Sequence, residues 1–350
     1  MTTTKQWEHR NQRLSVAIRT DASAEIGSGH LMRCLTLASE LAKAGMHITF
    51  LCYKLAEHLT DQIQAAGLQL ALLSEPWPVD LPNGGADLLI IDHYGADRDW
   101  QQVMRQQAKK IMVIDDLADR YHDCDLLLNQ NLHAAETRYR EKVPENCTLL
   151  LGSRYTLLRP EFYHLRPDTH TRSSLKRLLL CFGGSDPRQL TEHILRELVD
   201  CPWAIDVVLG AASPQQGAIE SLCFKHQGRW TLHIQTAAMA TLIAHADLAI
   251  GAGGSSHWER CLLGLPALVV TVADNQREST RLLHERGACW WLGDVDSLPP
   301  GAIRNAVNQL AHNPQRLEQM SRVAAGVVPQ DGGTRKVVKA IQSMLAADAI

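Results

Sequence analysis

The chain has 350 residues, 45% of them hydrophobic, with a formal charge of −3. That is enough apolar material for two domains of roughly 150–170 residues each. The slightly acidic balance argues against a nucleic-acid-binding surface, and nine scattered cysteines with no C-x-x-C spacing argue against a zinc or thioredoxin-like site.

Residues 1–13 are polar, with His9, Arg10 and Arg13, and read as a loosely ordered leader and not a secretory signal. No stretch reaches the roughly 18 apolar residues of a membrane helix, so a soluble, cytoplasmic chain with reduced, mostly buried thiols is expected. Leu14 to Ile18 has strand character, and the polar turn Arg19-Thr20-Asp21-Ala22-Ser23 follows it. Gly27-Ser28-Gly29-His30 then opens a helix in which Leu31, Cys34, Leu35, Ala38, Leu41 and Ala42 recur at helical spacing. A strand, a glycine turn and a helix N-terminus make a pocket of N–H groups suited to an anion. The positive end of the helix dipole disfavours the imidazolium of His30, so the neutral ring can act as a base near pH 7. The alternative is a tight turn with a helix-capping histidine.

His47 to Cys52 is a second strand, which makes a βαβ unit and a parallel sheet. Leu55 to Ala66 is a helix ended by Gly67, Leu68 to Leu73 a third strand, and Pro76 to Gly85 a loop. The apolar run from Asp87 to Asp92 suits a strand covered on both faces, with Asp92, His93 and Tyr94 at its C-terminal end. Ligands of open α/β sheets bind at that end, although Asp92 can also serve simply as a helix cap. Lys110 to Asp116 and Cys124 to Asn129 repeat the pattern, the second running into Asn129-Gln130-Asn131, so three strands end in Asp or Asn at one rim. Thr148 to Leu151 is a short strand, and the polar stretch 167–174 reads as an interdomain linker.

A second series starts with the strand Arg177 to Phe182, the turn Gly183-Gly184-Ser185-Asp186-Pro187 and a helix from Leu190 to Val199. Strands follow at Ile205 to Leu209 and Trp230 to Ile234, then a helical run from Met239 to Ala246. Leu248 to Ile250 leads into Gly251-Ala252-Gly253-Gly254-Ser255-Ser256 and a helix containing Glu259. Pro266 to Val272 is the last clear core strand, ending near Asn275 and Gln276. The expected division is therefore a leader at 1–13, Rossmann-like doubly wound α/β domains at 14–166 and 175–332, and a helix at 333–350 that returns to the first domain. Glycine turns facing a cleft suit a diphosphate. Glu259 is placed to accept from a ribose diol, unless it is an ordinary exposed helix glutamate. No G-x-G-x-x-G follows the first strand, which argues against a nicotinamide cofactor. The Asp-x-Asp pairs at 97/99, 123/125 and 294/296 read as surface carboxylates, so no metal is expected.

Thr20-Asp21, Ile26-Gly27-Ser28-Gly29-His30, Arg33-Cys34 and Ile91-Asp92-His93-Tyr94-Gly95, in this order, carry a resemblance. The chain resembles the UDP-sugar hydrolases of pseudaminic acid synthesis, which cleave UDP-2,4-diacetamido-2,4,6-trideoxy-β-L-altropyranose. The likeness runs from about Val16 to about Leu283 and includes Asp115-Asp116, Leu127-Leu128-Asn129, Gly183-Gly184-Ser185-Asp186 and the segment around Glu259. That family is similar in fold to the GT-B glycosyltransferases, especially the N-acetylglucosaminyltransferase of peptidoglycan synthesis, whose UDP-binding region Met239 to Gln276 resembles.

The resemblance implies that His30 is a general base on a water that attacks the anomeric carbon, with inversion and loss of UDP. It implies uracil near Thr236 and Met239, ribose on Glu259, phosphates near Gly254, Ser255 and Ser256, and Asp92, Tyr94 and Asn129 on the sugar side. Arg19, Asp21, Gly29, Arg33, Gly183, Ser185, Asn275 and Gln276 complete the implied substrate-binding set. A UDP-sugar is the implied small-molecule partner, with no cofactor, metal, nucleic acid or membrane, in a route to flagellin glycosylation. A UDP-sugar transferase, a hydrolase of a related diacetamido sugar and a non-catalytic binding protein stand as alternatives. The leader, the longer loop at Pro76 to Gly85 and an extension past about Arg286 depart from the family pattern.

Overall fold

The computed structural model describes residues 13–23, 27–77, 80–166, 170–184, 186, 188–211 and 213–347. The first sheet holds β1 (Ser15–Thr20), β2 (His47–Cys52), β3 (Gln69–Leu72), β4 (Ala86–Asp92), β5 (Ala108–Ile114), β6 (Leu126–Asn129) and β7 (Thr148–Leu151). They lie side by side as β3-β2-β1-β4-β5-β6-β7, and every pairing is parallel. Helices α1 (Gly29–Lys43), α2 (Glu57–Ala65), α3 (Arg98–Met104) and α4 (Glu136–Tyr139) accompany it, whereas α5 (Pro160–Leu165) puts Phe162 into the core of the second sheet's domain. The second sheet is β10 (Trp230–Ile234), β9 (Ala204–Leu209), β8 (Arg177–Cys181), β11 (Leu248–Ala252), β12 (Ala267–Thr271) and β13 (Trp290–Asp294), in that order and also parallel. Its helices are α6 (Leu190–Glu197), α7 (Gln216–Lys225), α8 (Met239–His245), α9 (Ser256–Leu262), α10 (Arg277–Glu285), α11 (Ala302–Ala311) and α12 (Pro314–Ala325).

Continuous apolar strands are what a sheet covered on both faces requires, because successive side chains point to opposite sides. In β4, Leu88 and Ile90 enter the core beneath α1, while Leu89 and Ile91 enter the core on the other face. β12 does the same with Leu268 and Val270 on one side and Ala267 and Val269 on the other. Strand order reverses between β1 and β4 in the first sheet and between β8 and β11 in the second. Such switch points open a crevice at the C-terminal strand ends.

Two elements differ from the sequence reading. β13 lies beyond the segment read as the last core strand. Its residues Trp290-Trp291-Leu292-Gly293-Asp294 are all half-buried at the sheet edge, and its register with β12 shifts between Val269 and Thr271, so no clean alternation marks it. Of the stretch read as a linker, residues 170–174 are described, and Arg172 within it is buried against the second sheet's helices. The leader falls almost wholly outside the described residues. The last helix, α13 (Gly333–Ala346), adds Val337 and Ile341 to the core beneath the first sheet, against α1. It starts so close to the backbone that a Cβ on Gly333 would lie 2.4 Å from the Thr156 carbonyl oxygen. No helix among the described residues is long and apolar enough to cross a membrane.

Candidate functional site

The turn after β1 delivers His30 to the second position of α1, and Gly27 adopts φ +81° to make that turn. Thr20 at the end of β1 is in register with Asp92 at the end of β4, so the start of α1 sits over the Asp92 carboxylate. His30 and Arg33 are three residues apart and share a helix face. His30 Nδ1 lies 2.6 Å from Asp92 Oδ1. Arg33 clamps the same carboxylate with Nε and Nη2, both at 2.6 Å, and reaches Asp116 with Nη1 at 3.0 and 2.9 Å.

Asp92 is 1% exposed. Burial pushes its carboxyl up, but the charges and hydrogen bonds of Arg33 and His30 override this and hold it well below the usual carboxylate range. Nδ1 also stands 3.2 Å from Arg33 Nη2, but the ionised Asp92 at 2.6 Å is the nearer partner and accepts the Nδ1 proton, a tautomer in which Nε2 is a lone-pair acceptor. The Tyr94 ring meets the imidazole edge-on at 4.9 Å between centroids. Tyr94 OH donates to Asp116 Oδ2 at 3.3 Å and accepts from Asn275 Nδ2 of the second domain at 3.0 Å. Burial and the nearby Asp116 push the Tyr94 phenol up, so it stays protonated and able to donate.

The second domain presents the turn between β11 and α9. Gln276 Oε1 ties it down by accepting from Gly253 N at 3.2 Å and Val272 N at 3.1 Å. A Cβ on Gly253 would meet Thr280 Oγ1 at 2.3 Å, so glycine is required there. Ser255 is exposed at the cap of α9, and its Oγ lies 3.5 Å from where a Cβ on Gly29 would stand. Ser28 Oγ lies in the same way 3.4 Å from the Cβ direction of Gly184. The glycine turns of the two domains therefore face each other. Glu259 is half-buried, and its carboxylate accepts no hydrogen bond from another described residue. Burial pushes it up, opposed by the charges of Arg159 and Arg260.

Several residues named from the sequence have other partners. Arg19 and Asp21 are a buried ion pair at 2.5 Å, with Asp21 also accepting from Tyr53 N and facing His93 Nε2 at 3.3 Å. Asn129 is fully buried, donates to Tyr139 OH at 2.8 Å and accepts from Asn131 N, which places it beneath the rim and not on it. Arg33 is spent on two carboxylates. Thr236 Oγ1 accepts from Ala238 N at the start of α8, beside the half-buried Met239. Gly183 is exposed, Gly254 and Ser256 are half-buried, and Ser185 lies outside the described residues. Asp116, Asn131 and His133 were missed as site residues. The strand ends Asp115-Asp116 and Asn129-Gln130-Asn131 were usable signals for the first two, whereas nothing in the sequence marks His133.

Residues 179–339 match the glycosyltransferase family 28 C-terminal domain. The chain superposes on MurG of Acinetobacter baumannii with a TM-score of 0.63 at 14% identity, covering 94% of this chain and 99% of that one. It superposes on Anabaena HepE in complex with UDP and glucose with a TM-score of 0.57 at 14% identity, covering 95% and 100%. The two parallel-sheet α/β domains thus form a GT-B-like fold. Among sequence relatives, the UDP-2,4-diacetamido-2,4,6-trideoxy-β-L-altropyranose hydrolase of Campylobacter jejuni is 28% identical over 276 residues, 78% of this chain and 97% of that enzyme. The chain is a relative of that hydrolase, as the motifs indicated. The spore coat polysaccharide biosynthesis protein SpsG of Bacillus subtilis is 28% identical over 306 residues, 82% of this chain and 86% of that protein. An uncharacterized protein of Methanocaldococcus jannaschii is 30% identical over 278 residues, and the match spans 76% of this chain and 57% of that longer relative.

Proposed function

We propose that the chain hydrolyses UDP-2,4-diacetamido-2,4,6-trideoxy-β-L-altropyranose to UDP and the free sugar by attack of water at the anomeric carbon with inversion. The observation that carries this reading is the His30–Asp92 pair, whose Nε2 holds no hydrogen bond among the described residues, set opposite the glycine-serine turn of the second domain. Nε2 takes a proton from the water as its oxygen bonds to the anomeric carbon, and the C–O bond to the β-phosphate breaks with both electrons leaving on UDP. Asp92 stabilises the imidazolium that forms, without itself taking the proton. On the nucleotide side, backbone N–H groups near Gly183, Gly254 and Ser256, with the Ser255 hydroxyl, receive the diphosphate. Glu259 receives the ribose, and Thr236 and Met239 border the uracil. Tyr94, Asn275 and Gln276 close the pocket around the sugar end. The reading needs no metal, so a chelator leaves the rate unchanged. It places the protein in the making of a diacetamido sugar, in the cytoplasm.

His30→Ala is expected to bind UDP as the parent does and to lose hydrolysis by roughly 10²–10⁴-fold, the usual effect of removing a general base. Full activity in that variant removes His30 from the role. Following the anomeric configuration of the product by NMR checks inversion. A second reading, a UDP-sugar transferase, draws on the family 28 match of residues 179–339. Release of UDP that requires an added acceptor decides for it and against hydrolysis.

A further inference from the structure

Asp116 follows β5, and two of its first-domain partners, Tyr94 and His133, in turn hold residues of the second domain. Arg33 Nη1 puts two hydrogen bonds on its carboxylate, and Asn131 Nδ2 adds a third at 3.1 Å. Tyr94 OH donates to it while holding Asn275 of the second domain. The Asp116 backbone carbonyl accepts from His133 Nε2 at 3.3 Å, and the other nitrogen of that ring faces Ser279 Oγ on α10 at 3.4 Å. Arg138 fastens the same segment to α10 with two 3.0 Å bonds to Glu278, and donates to the Leu117 carbonyl next to Asp116. A continuous chain therefore runs Asn275–Tyr94–Asp116–Arg33–Asp92–His30, from the second domain to the imidazole.

The planar guanidinium of Arg33 is what makes this chain rigid. Its fork presents donors in fixed directions, and two carboxylates on opposite edges leave it one orientation. Without Asp116, Arg33 can swing about Asp92, and the plane of Asp92 sets the direction of His30.

We infer that Asp116 is a positioning residue that couples docking of the second domain, sensed through Asn275 and Ser279, to the orientation of His30. The inference rests on the reading of His30 as base and of the second domain as the UDP site. Its physical content is a contiguous network with partners in both domains, so nucleotide that draws the domains together also stiffens the base.

The test uses the full chain labelled with 15N-histidine, and UDP as probe. In the parent, UDP shifts the His30 ring nitrogens. In Asn275→Ala, UDP binds within about threefold of the parent but that shift falls by at least about half, as the loss of one link in a coupling chain requires. Asp116→Asn lowers kcat by roughly 10–100-fold with KM nearly unchanged, the range expected when a reacting group is displaced by about 1 Å. Tyr94→Phe keeps the ring packed and removes only the hydroxyl, so it repeats the Asn275→Ala result in a variant that folds. A parent-like His30 response in both Asn275→Ala and Tyr94→Phe, or an unchanged kcat in Asp116→Asn, overturns the coupling. Full hydrolysis by His30→Ala, or absence of UDP binding, sinks the proposed function instead. In that case the ring signals of nucleotide-free Asp116→Asn still decide: signals identical to the parent overturn the positioning role, and displaced ones support it.

Discussion

Three histidines show how placement separates structure from chemistry in one residue type. His257 is buried, with Nδ1 accepting from Arg260 and Nε2 paired with Thr280 Oγ1, and burial followed by the Arg260 charge pushes it far below the usual histidine range. Both of its nitrogens are used, so it is a satisfied core residue. His30 has one nitrogen on Asp92 and one with no hydrogen-bond partner among the described residues, the arrangement a base needs. His122 is the third case: Gln101 donates to Nδ1 at 3.1 Å, while Nε2 has no hydrogen-bond partner among the described residues and stands 4.0 Å from Asp115 Oδ1. Burial lowers it from 6.5 to about 4, despite the attraction of Asp115. The unfolded chain therefore binds more protons between these values, and the stability that neutral His122 contributes is full above pH 6.5 and lost as pH falls toward about 4. Thermal unfolding followed across that window should show a falling midpoint, with a shallower fall in His122→Asn. An equally steep fall in that variant assigns the slope to other groups. Asp92, held below its usual range, acts in the same direction at lower pH: its contribution is present above the ordinary carboxylate pKa and goes as it is protonated.

At the scale of elements, Arg172 holds the entry into the second domain. It is 1% exposed and has no carboxylate within hydrogen-bond reach among the described residues. Its Nε donates to the Ala246 carbonyl, Nη1 to His170 and Leu263, and Nη2 to Ile243 and Ala244. All five guanidinium donors are thus met by carbonyls, four of them at the C-terminal ends of α8 and α9, where the helix dipoles favour a cation. Burial still lowers it to about 10, far enough above neutrality to keep it charged. Arg172→Met removes the partner of these carbonyls and should destabilise the protein by about 2–4 kcal/mol in urea unfolding. A loss below the error of that measurement would mean that water replaces the guanidinium. Nothing in the polar run from His170 to Ser174 announces this plug, because one arginine among threonine and serine has no periodicity to read.

On the scale of the whole molecule, the chain crosses back to where it began. α13 follows the second domain in sequence, yet its Val337 and Ile341 pack beneath the first sheet, and Thr334 Oγ1 donates to the Leu158 carbonyl while accepting from Leu158 N. Removal of residues 333–350 should therefore destabilise the first domain more than the second. Limited proteolysis should cut the truncated protein first within residues 14–160. Preferential cutting in the second domain would show that α13 belongs energetically to the other half.

The amphipathic spacing from Thr334 to Leu345 was visible in the sequence, as were both doubly wound sheets, the glycine turns and the rim of aspartates. Local chemistry suffices for these: an apolar run marks a strand buried on two faces, and a strand, glycine turn and helix mark a crossover. Sequence order alone also placed Asp92 at the ligand-binding end of its strand. Which carboxylate meets which cation was settled by the tertiary structure. His30 and Asp92 are 62 residues apart, Arg33 and Asp116 are 83, and Tyr94 and Asn275 are 181. Only the parallel register of β1, β4 and β5, together with the approach of the second domain, brings those side chains within hydrogen-bond distance. The same packing buried Asn129, locked Arg19 onto Asp21 and turned Arg33 from an open cation into a clamp, because a side chain's partners depend on what the fold sets against it and not on its neighbours in the chain.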